Sequence, residues 1–366
     1  MDQFLLAHSD QADWHLAVDE CIEQLGPLAP EASLGFIYVT DSHAAHLGDI
    51  IRSLRQESLL EHWVGTVGMA VCCTRTEYTE QPAIVILVSD IPESQFHLFQ
   101  SPEDIAKLPP AMGLRVGIVH GDPRNGQIPN LIAQLPEQIG NGFLVGGLTS
   151  SQSYHYQIAD EIVEGNLSGV ILDDSVALVS GLTQGCSPLG PVHELSEAES
   201  NIAVTIDHRP ALDVMKEDIG EVLARDLNRI GGYIFAGFPV ADSDTGDYLV
   251  RNLMGIDPDS GAIAIGEYLQ TGSAIMFCKR DGKTAIEDLE RMVTKLKTRA
   301  KDKIKGGLYF SCMGRGQHMF GEPNRELELI ADIIGDIPLV GFYANGEIAG
   351  NRLYGYTGVL TLFLSS

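Results

Sequence analysis

The sequence predicts an α/β protein with mixed sheets built from repeated strand-helix-strand units, and two observations carry that prediction. Amphipathic helix patterns and short β-rich runs alternate along the chain, the order expected where helices pack on sheets. Three segments also echo one another. Each begins with glycine, continues as an apolar strand, passes through a polar or glycine-rich turn and a helical stretch, and closes on a second apolar run ending in glycine. The intervals between opening and closing glycines are 30 residues (Gly35 to Gly65), 33 (Gly113 to Gly146) and 34 (Gly307 to Gly341). That is the span of one strand, a crossover helix and a second, parallel strand.

Taken in order, a first helix is expected over residues 9–24, ended by Gly26-Pro27. The first unit opens on G-F-I-Y-V (residues 35–39) and closes on H-W-V-G-T-V-G (62–68); the second opens on G-L-R-V-G-I-V (113–119) and closes on F-L-V-G-G (143–147). A β-rich middle follows, with strands expected at 168–172, 176–180, 202–206, 262–268 and 273–277. Within it G-C-S-P-L-G-P-V (185–192) reads as a rigid bend where the chain changes sheet or domain. A helix over 217–228 opens the second half, and another over 284–303 carries apolar Ile286, Leu289, Val293 and Leu296. Its early carboxylates and late Lys297, Arg299, Lys301 and Lys303 complement the helix dipole. The third unit opens on G-G-L-Y-F (306–310), continues through a helix with Leu327, Ile330, Ile333 and Ile334, and closes on L-V-G-F-Y-A-N-G (339–346). The organisation expected is a helical lead-in over 1–32, one domain over 33–215 and a second over 216–366.

Bulk composition narrows the function. The chain has 366 residues, 44% of them hydrophobic, and a formal charge of -26. Affinity for nucleic acid rests on Lys and Arg displacing counterions from phosphates, so DNA, RNA and anionic membranes are discounted as partners. The longest apolar run, A-I-V-I-L-V at 83–88, is far short of the roughly 20 residues that span a bilayer. The first residues, M-D-Q-F-L-L-A-H-S-D, lack a basic region and a cleavage site, so a cytoplasmic location without membrane insertion is expected. Six cysteines, two of them adjacent at Cys72-Cys73, form no disulfide pattern. The absence of HExxH, CxxC and CxxCH disfavours dedicated zinc and covalent haem sites; non-covalent haem leaves no such mark.

The residues that bear chemistry gather on two turns. F-S-C-M-G-R-G (310–316) puts a thiol and a guanidinium on a glycine-rich turn after a buried strand. Beside Arg315 and a helix N-terminus, Cys312 would have its thiolate favoured; the alternative is a small core hydrophobe at a strand end. Arg315, between Gly314 and Gly316, is a planar fork for a carboxylate or phosphate, or else an ion pair that ties down the turn. The second turn, A-N-G-E-I-A-G (344–350), carries Asn345, Gly346 and Glu347. Glu347 opposite Arg315 would let one ligand offer a carboxylate to the arginine and an ammonium to the glutamate, as an amino acid does. G-G-L-T-S-S (146–151) has amides and hydroxyls fit for an anion or for an ordinary turn. His43 and His46 share a helix face, which points to a metal only with a third ligand.

These stretches resemble a known family. G-L-Y-F-S-C-M-G-R-G, F-G-E-P-N, L-V-G-F-Y-A-N-G-E-I and Y-G-Y-T-G-V-L-T-L-F are similar to the FIST C-terminal domain, and L-T-Q-G-C-S-P-L-G-P-V with the region from about residue 33 is similar to its FIST N-terminal partner. The resemblance implies two FIST halves and a small-ligand sensory protein in signal transduction, recognising an amino acid or similar small carboxylate and acting on a histidine kinase or other signalling protein. It makes Cys312, Gly314, Arg315, Gly316, Asn345, Gly346 and Glu347 family-typical ligand-binding positions. It also implies one alternative, a haem-binding nitric-oxide sensor regulating a histidine kinase, with haem as cofactor; the thiol on the first turn offers a second, an enzyme dependent on Cys312. No convincing catalytic set is visible, so the expectation is a sensor and not an enzyme.

Overall fold

The computed structural model describes residues 4–108, 113–224, 227, 230–240, 247–301 and 303–365, and the chain divides into two compact units, one of residues 1–183 with 286–366 and one of residues 184–285. The larger unit begins with β1 (Leu5–Ser9), α1 (Trp14–Leu25), β2 (Leu34–Thr40), α2 (Leu47–Ser58), β3 (His62–Gly68), β4 (Ala70–Cys73), β5 (Thr76–Thr79) and β6 (Ile84–Ser89). It continues through β7 (Phe96–Phe99), α3 (Pro102–Ile105), β8 (Val116–Gly121), α4 (Ile128–Gln138), β9 (Phe143–Leu148), β10 (Gln157–Ala159), β11 (Glu161–Val163), β12 (Leu167–Leu172) and β13 (Leu178–Gln184). The smaller unit holds β14 (Cys186–Pro188), β15 (His193–Glu199), β16 (Ile202–Ile206), β17 (Arg209–Pro210), α5 (Ala211–Ala224), β18 (Ile234–Pro239), β19 (Tyr248–Asp257), β20 (Ala262–Ile265) and β21 (Ala274–Arg280). After α6 (Gly282–Ala300) come β22 (Ile304–Cys312), α7 (Gln317–Phe320), α8 (Arg325–Ile334), β23 (Leu339–Ala344), β24 (Glu347–Gly350), β25 (Arg352–Tyr354) and β26 (Thr357–Leu364).

The expected mixed α/β fold is the one adopted. In the larger unit three mixed sheets run β1-β6-β2-β3-β10-β11, β25-β24-β9-β8-β12-β7 and β13-β26-β22-β23-β4-β5. Each contains one parallel pair, β2 with β3, β8 with β9 and β22 with β23, and these pairs are the three echoing units of the sequence. The closing glycines have a common physical cause. Gly65, Gly146 and Gly341 stand opposite Ile37, Val119 and Tyr309 in register. A Cβ on them would lie 1.7, 1.9 and 1.6 Å from the carbonyl oxygens of those residues. No side chain is tolerated at that approach.

The next residue along each first strand is Tyr38, His120 and Phe310, and these three rings meet in the core with centroids 5.5, 6.1 and 6.1 Å apart. The three units therefore converge on one aromatic centre, which Phe342 completes by stacking on Tyr38 at 5.2 Å. His120 is wholly buried there, its Nε2 3.3 Å from the Tyr38 hydroxyl. Burial pushes it down to about 3, so it is a neutral core histidine.

Some element bounds shift from expectation. The first helix starts at Trp14 and not at residue 9, because Leu5–Ser9 pairs along β6 and the Asp13 side chain caps the helix by accepting from the His15 N–H at 2.9 Å. The helix expected over 217–228 begins earlier, at Ala211, and bends at Gly220 (φ 79°); its expected end at 228 lies outside the described residues. In the smaller unit β21 pairs with both β15 and β18, so β21, β15, β16, β20, β19 and β18 close into an antiparallel ring with α5 packed on its apolar residues.

Candidate functional site

The carboxyl ends of the parallel strands are brought together as the repeat implies. Asn345 N–H donates to Leu148 O (3.0 Å) and Ser150 N–H to Val67 O (3.3 Å), which ties together the ends of β23, β9 and β3. Ligand sites in open α/β sheets gather at such ends. The two turns singled out in the sequence also meet: Cys312 stands opposite Ala344, and the Met313 N–H donates to Ala344 O at 3.0 Å.

β22 delivers the first turn. Its Arg315 N–H closes back on Cys312 O at 2.8 Å, and Gly316 takes a left-handed φ of 56° with Tyr343 and Glu77 packed where a side chain would stand. The turn folds Arg315 inward until its side chain is fully buried. Its Nε donates to Glu326 Oε1 at 2.7 Å, and its Cζ sits 5.1 Å from the Phe320 ring centroid. Glu326, on the first turn of α8, also accepts from Tyr309 OH (2.6 Å), Ser311 Oγ (3.1 Å) and the Gly316 N–H (3.2 Å). Burial opposes the guanidinium charge and the Glu326 carboxylate outweighs it, so Arg315 is held above its ordinary value. The ion pair uses only Nε. Nη1 and Nη2 of Arg315 are buried without a hydrogen-bond partner, an arrangement that native proteins seldom leave unfilled.

Glu347 opens β24 with its side chain wholly buried. Its Oε2 accepts from the Thr357 backbone N–H (3.1 Å) and hydroxyl (2.7 Å), while Oε1 has no partner. Burial pushes the carboxyl up to about 8; the Thr357 hydrogen bonds and the field of Arg315 pull the other way without prevailing. The site thus holds a buried cation with its fork free and a buried acid with one oxygen free, and the acid lies within the field of the cation.

The remaining expected residues divide. Gly314 lies under Tyr356, whose ring stands 2.8 Å from where its Cβ would be, and Gly346, at φ 133°, accepts from the Leu148 N–H at 2.9 Å. Both serve through their backbone. Asn345 is exposed and stands apart from the buried groups. Of the two readings of Cys312, its surroundings favour the small residue at a strand end over the thiolate. It is half-buried and accepts from the Gly314 N–H at 3.4 Å, and burial first, then the neighbouring Glu347, pushes its thiol up. The following helix, α7, spans only four residues.

Other sequence candidates dissolve. The hydroxyls of G-G-L-T-S-S are already engaged: Thr149 with Thr66 (2.7 Å), Ser150 with Tyr343 O, and Ser151 with the Asp41 carboxylate. A carboxylate at that position repels an anion. His43 is buried against Gln11 O at 3.1 Å, His46 is exposed, and no group of three metal-ligating side chains occurs among the described residues. His120 packs against Tyr38, Phe310 and Phe342; its Nε2 faces the Tyr38 hydroxyl and its Nδ1 is buried without a hydrogen-bond partner. The trough of about 540 Å³ between α2 and β11 and the one of about 520 Å³ on β16 and β20 have no histidine in their walls.

Sequence reasoning missed Glu326, Thr357, Tyr309 and Ser311. Glu326 carried a signal: it lies four and eight residues before Ile330 and Ile334, on the apolar stripe of α8, where an acid needs a buried partner.

Comparison with known proteins agrees with this architecture. The FIST N domain matches residues 33–209 and the FIST C domain residues 211–350. An uncharacterized protein of Mycobacterium tuberculosis is 30% identical over 356 residues, covering 91% of each chain. An uncharacterized protein of Mycobacterium bovis is 29% identical over 371 residues, covering 95% of each. The chain belongs to the FIST family, whose domains are associated with signal transduction and the sensing of small ligands.

Proposed function

We propose that the chain senses a small zwitterion, an amino acid or a similar carboxylate, bound between Arg315 and Glu347. The observation that carries this reading is the set of buried, unpartnered atoms at the strand ends: Nη1 and Nη2 of Arg315 and Oε1 of Glu347. Two parallel N–H donors match a carboxylate bidentately, and the free carboxyl oxygen matches an ammonium. Glu326 holds Arg315 by Nε and so presents the fork edge outward from the pair. The raised Cys312 thiol counts against an enzyme that would use it as nucleophile. Gly314, Gly316 and Gly346 supply the turn geometry, and Cys312 forms part of the wall. The proposal extends to a cytoplasmic chain that passes its state by contact to a histidine kinase or other signalling protein; this part rests on the family's association with signal transduction.

The test is a thermal-shift screen against the twenty standard L-amino acids, followed by calorimetry of any that stabilise the full chain. Because Glu347 is protonated when the site is empty, an ammonium ligand should displace about 0.9 proton per molecule bound at pH 7. That release appears as a binding enthalpy that varies with buffer ionisation heat. Arg315→Lys and Glu347→Gln should each abolish the signal. Undiminished affinity in both variants rejects the site, and no stabilisation by any amino acid rejects the ligand class.

A further inference from the structure

The smaller unit carries a second feature that stands whether or not Arg315 and Glu347 bind an amino acid. β16 reads I-A-V-T-I and β20 reads A-I-A-I. Antiparallel strands that face water on one side alternate apolar and polar residues, whereas continuous apolar runs belong to strands covered on both faces. Here Ala203, Ile263 and Ile265 are buried in the core shared with α5. Their alternating neighbours Ile202, Val204, Ala262 and Ala264 line an open trough of about 520 Å³ on the opposite face. Ile202 is 37% exposed, and Met254 on the adjoining β19 is 66% exposed. Apolar surface of this kind, continuous and rimmed by polar groups, marks an interaction site.

We propose that this bare face of β16 and β20 docks an amphipathic helix of a partner protein, its apolar stripe flanked by Lys and Arg. The rim decides the occupant. Glu199 and Asp257 line the trough, both exposed, and neither is held by an ion pair among the described residues. Asp257 is kept below its ordinary value by the Ser260 hydroxyl and the Asp259 N–H, and so remains charged. A second copy of this chain would bring the same carboxylates against themselves, and like charges brought together disfavour that pairing. A helix with basic flanks completes both the apolar floor and the acidic rim.

The probe is a fluorescein-labelled amphipathic peptide of Leu and Lys, with a Leu/Glu peptide of the same pattern as control. Anisotropy is followed as the full chain is added at near-physiological salt. The Leu/Lys peptide should bind saturably and the control should not. Ile202→Asp separates docking from bulk attraction to a chain of charge -26, because the substitution adds a negative charge. Docking on the apolar floor predicts roughly tenfold weaker binding, whereas attraction by charge alone predicts tighter binding. Ala264→Asp on the neighbouring strand should act in the same direction, and Glu199→Gln with Asp257→Asn should weaken binding severalfold. Binding by Ile202→Asp and Ala264→Asp that equals or exceeds that of the parent chain overturns the proposal, as does the absence of saturable binding. A dimer seen by sedimentation and dissolved by Ile202→Asp overturns it in favour of a second copy.

Discussion

Glu347→Gln should make the protein more stable while destroying ligand binding, a combination that few substitutions at a structural position produce. The carboxyl is wholly buried and pushed from 4.5 up to about 8. A raised carboxyl pKa means that the folded state binds the proton more tightly than the unfolded state does. Stability from this group is therefore greatest below pH 4.5 and falls as pH rises toward 8. At 1.36 kcal/mol per pH unit the full loss is about 5 kcal/mol, of which about 3 kcal/mol is already felt at pH 7. Glutamine keeps an oxygen for the Thr357 N–H and hydroxyl but never ionises. It should raise the melting temperature of the larger unit at pH 7 by about 6 °C, taking roughly 2 °C per kcal/mol for a unit of this size. The variant's melting curves should also lack the decline expected of the parent between pH 5 and pH 8. Calorimetric melting at pH 5, 6, 7 and 8 for both proteins is the assay. A variant that melts below the parent at pH 7, or that keeps the parent's pH slope, would refute the buried neutral acid and with it the empty half of the proposed site.

Other expectations follow from the same geometry. Glu326→Ala strands Arg315 as a buried, uncompensated cation and should cost about 3–5 kcal/mol in urea unfolding, whereas Arg315→Met combined with Glu326→Leu should recover much of that loss. Gly341→Ala drives a methyl to 1.6 Å from Tyr309 O and should destabilise the chain by at least about 3 kcal/mol, read as loss of the cooperative melting transition at 37 °C. Cys312 should react with iodoacetamide more slowly than free cysteine at neutral pH, since burial and Glu347 hold its thiol up; rapid stoichiometric labelling would restore the nucleophile.

The sequence by itself determined the three strand-helix-strand units. Their signals are short-range: apolar runs of strand length, helical periodicity, and glycines at Gly65, Gly146 and Gly341, where the backbone of one strand presses on the carbonyl of its neighbour. It also marked the two turns that carry Arg315 and Glu347, because a charged residue between glycines stands out in any context. What it left open was decided by contacts between residues far apart in the chain. Tyr38, His120 and Phe310 meet only because three units converge, and that makes His120 a neutral core residue. Arg315 takes Glu326 through Nε and not Glu347, so the turn carries both a structural ion pair and a free fork. The upward shifts of the Glu347 carboxyl and the Cys312 thiol are likewise consequences of burial. Charge in a protein is set by how much water the surrounding chain removes and which partners replace it, and that depends on tertiary packing that no local stretch of sequence encodes.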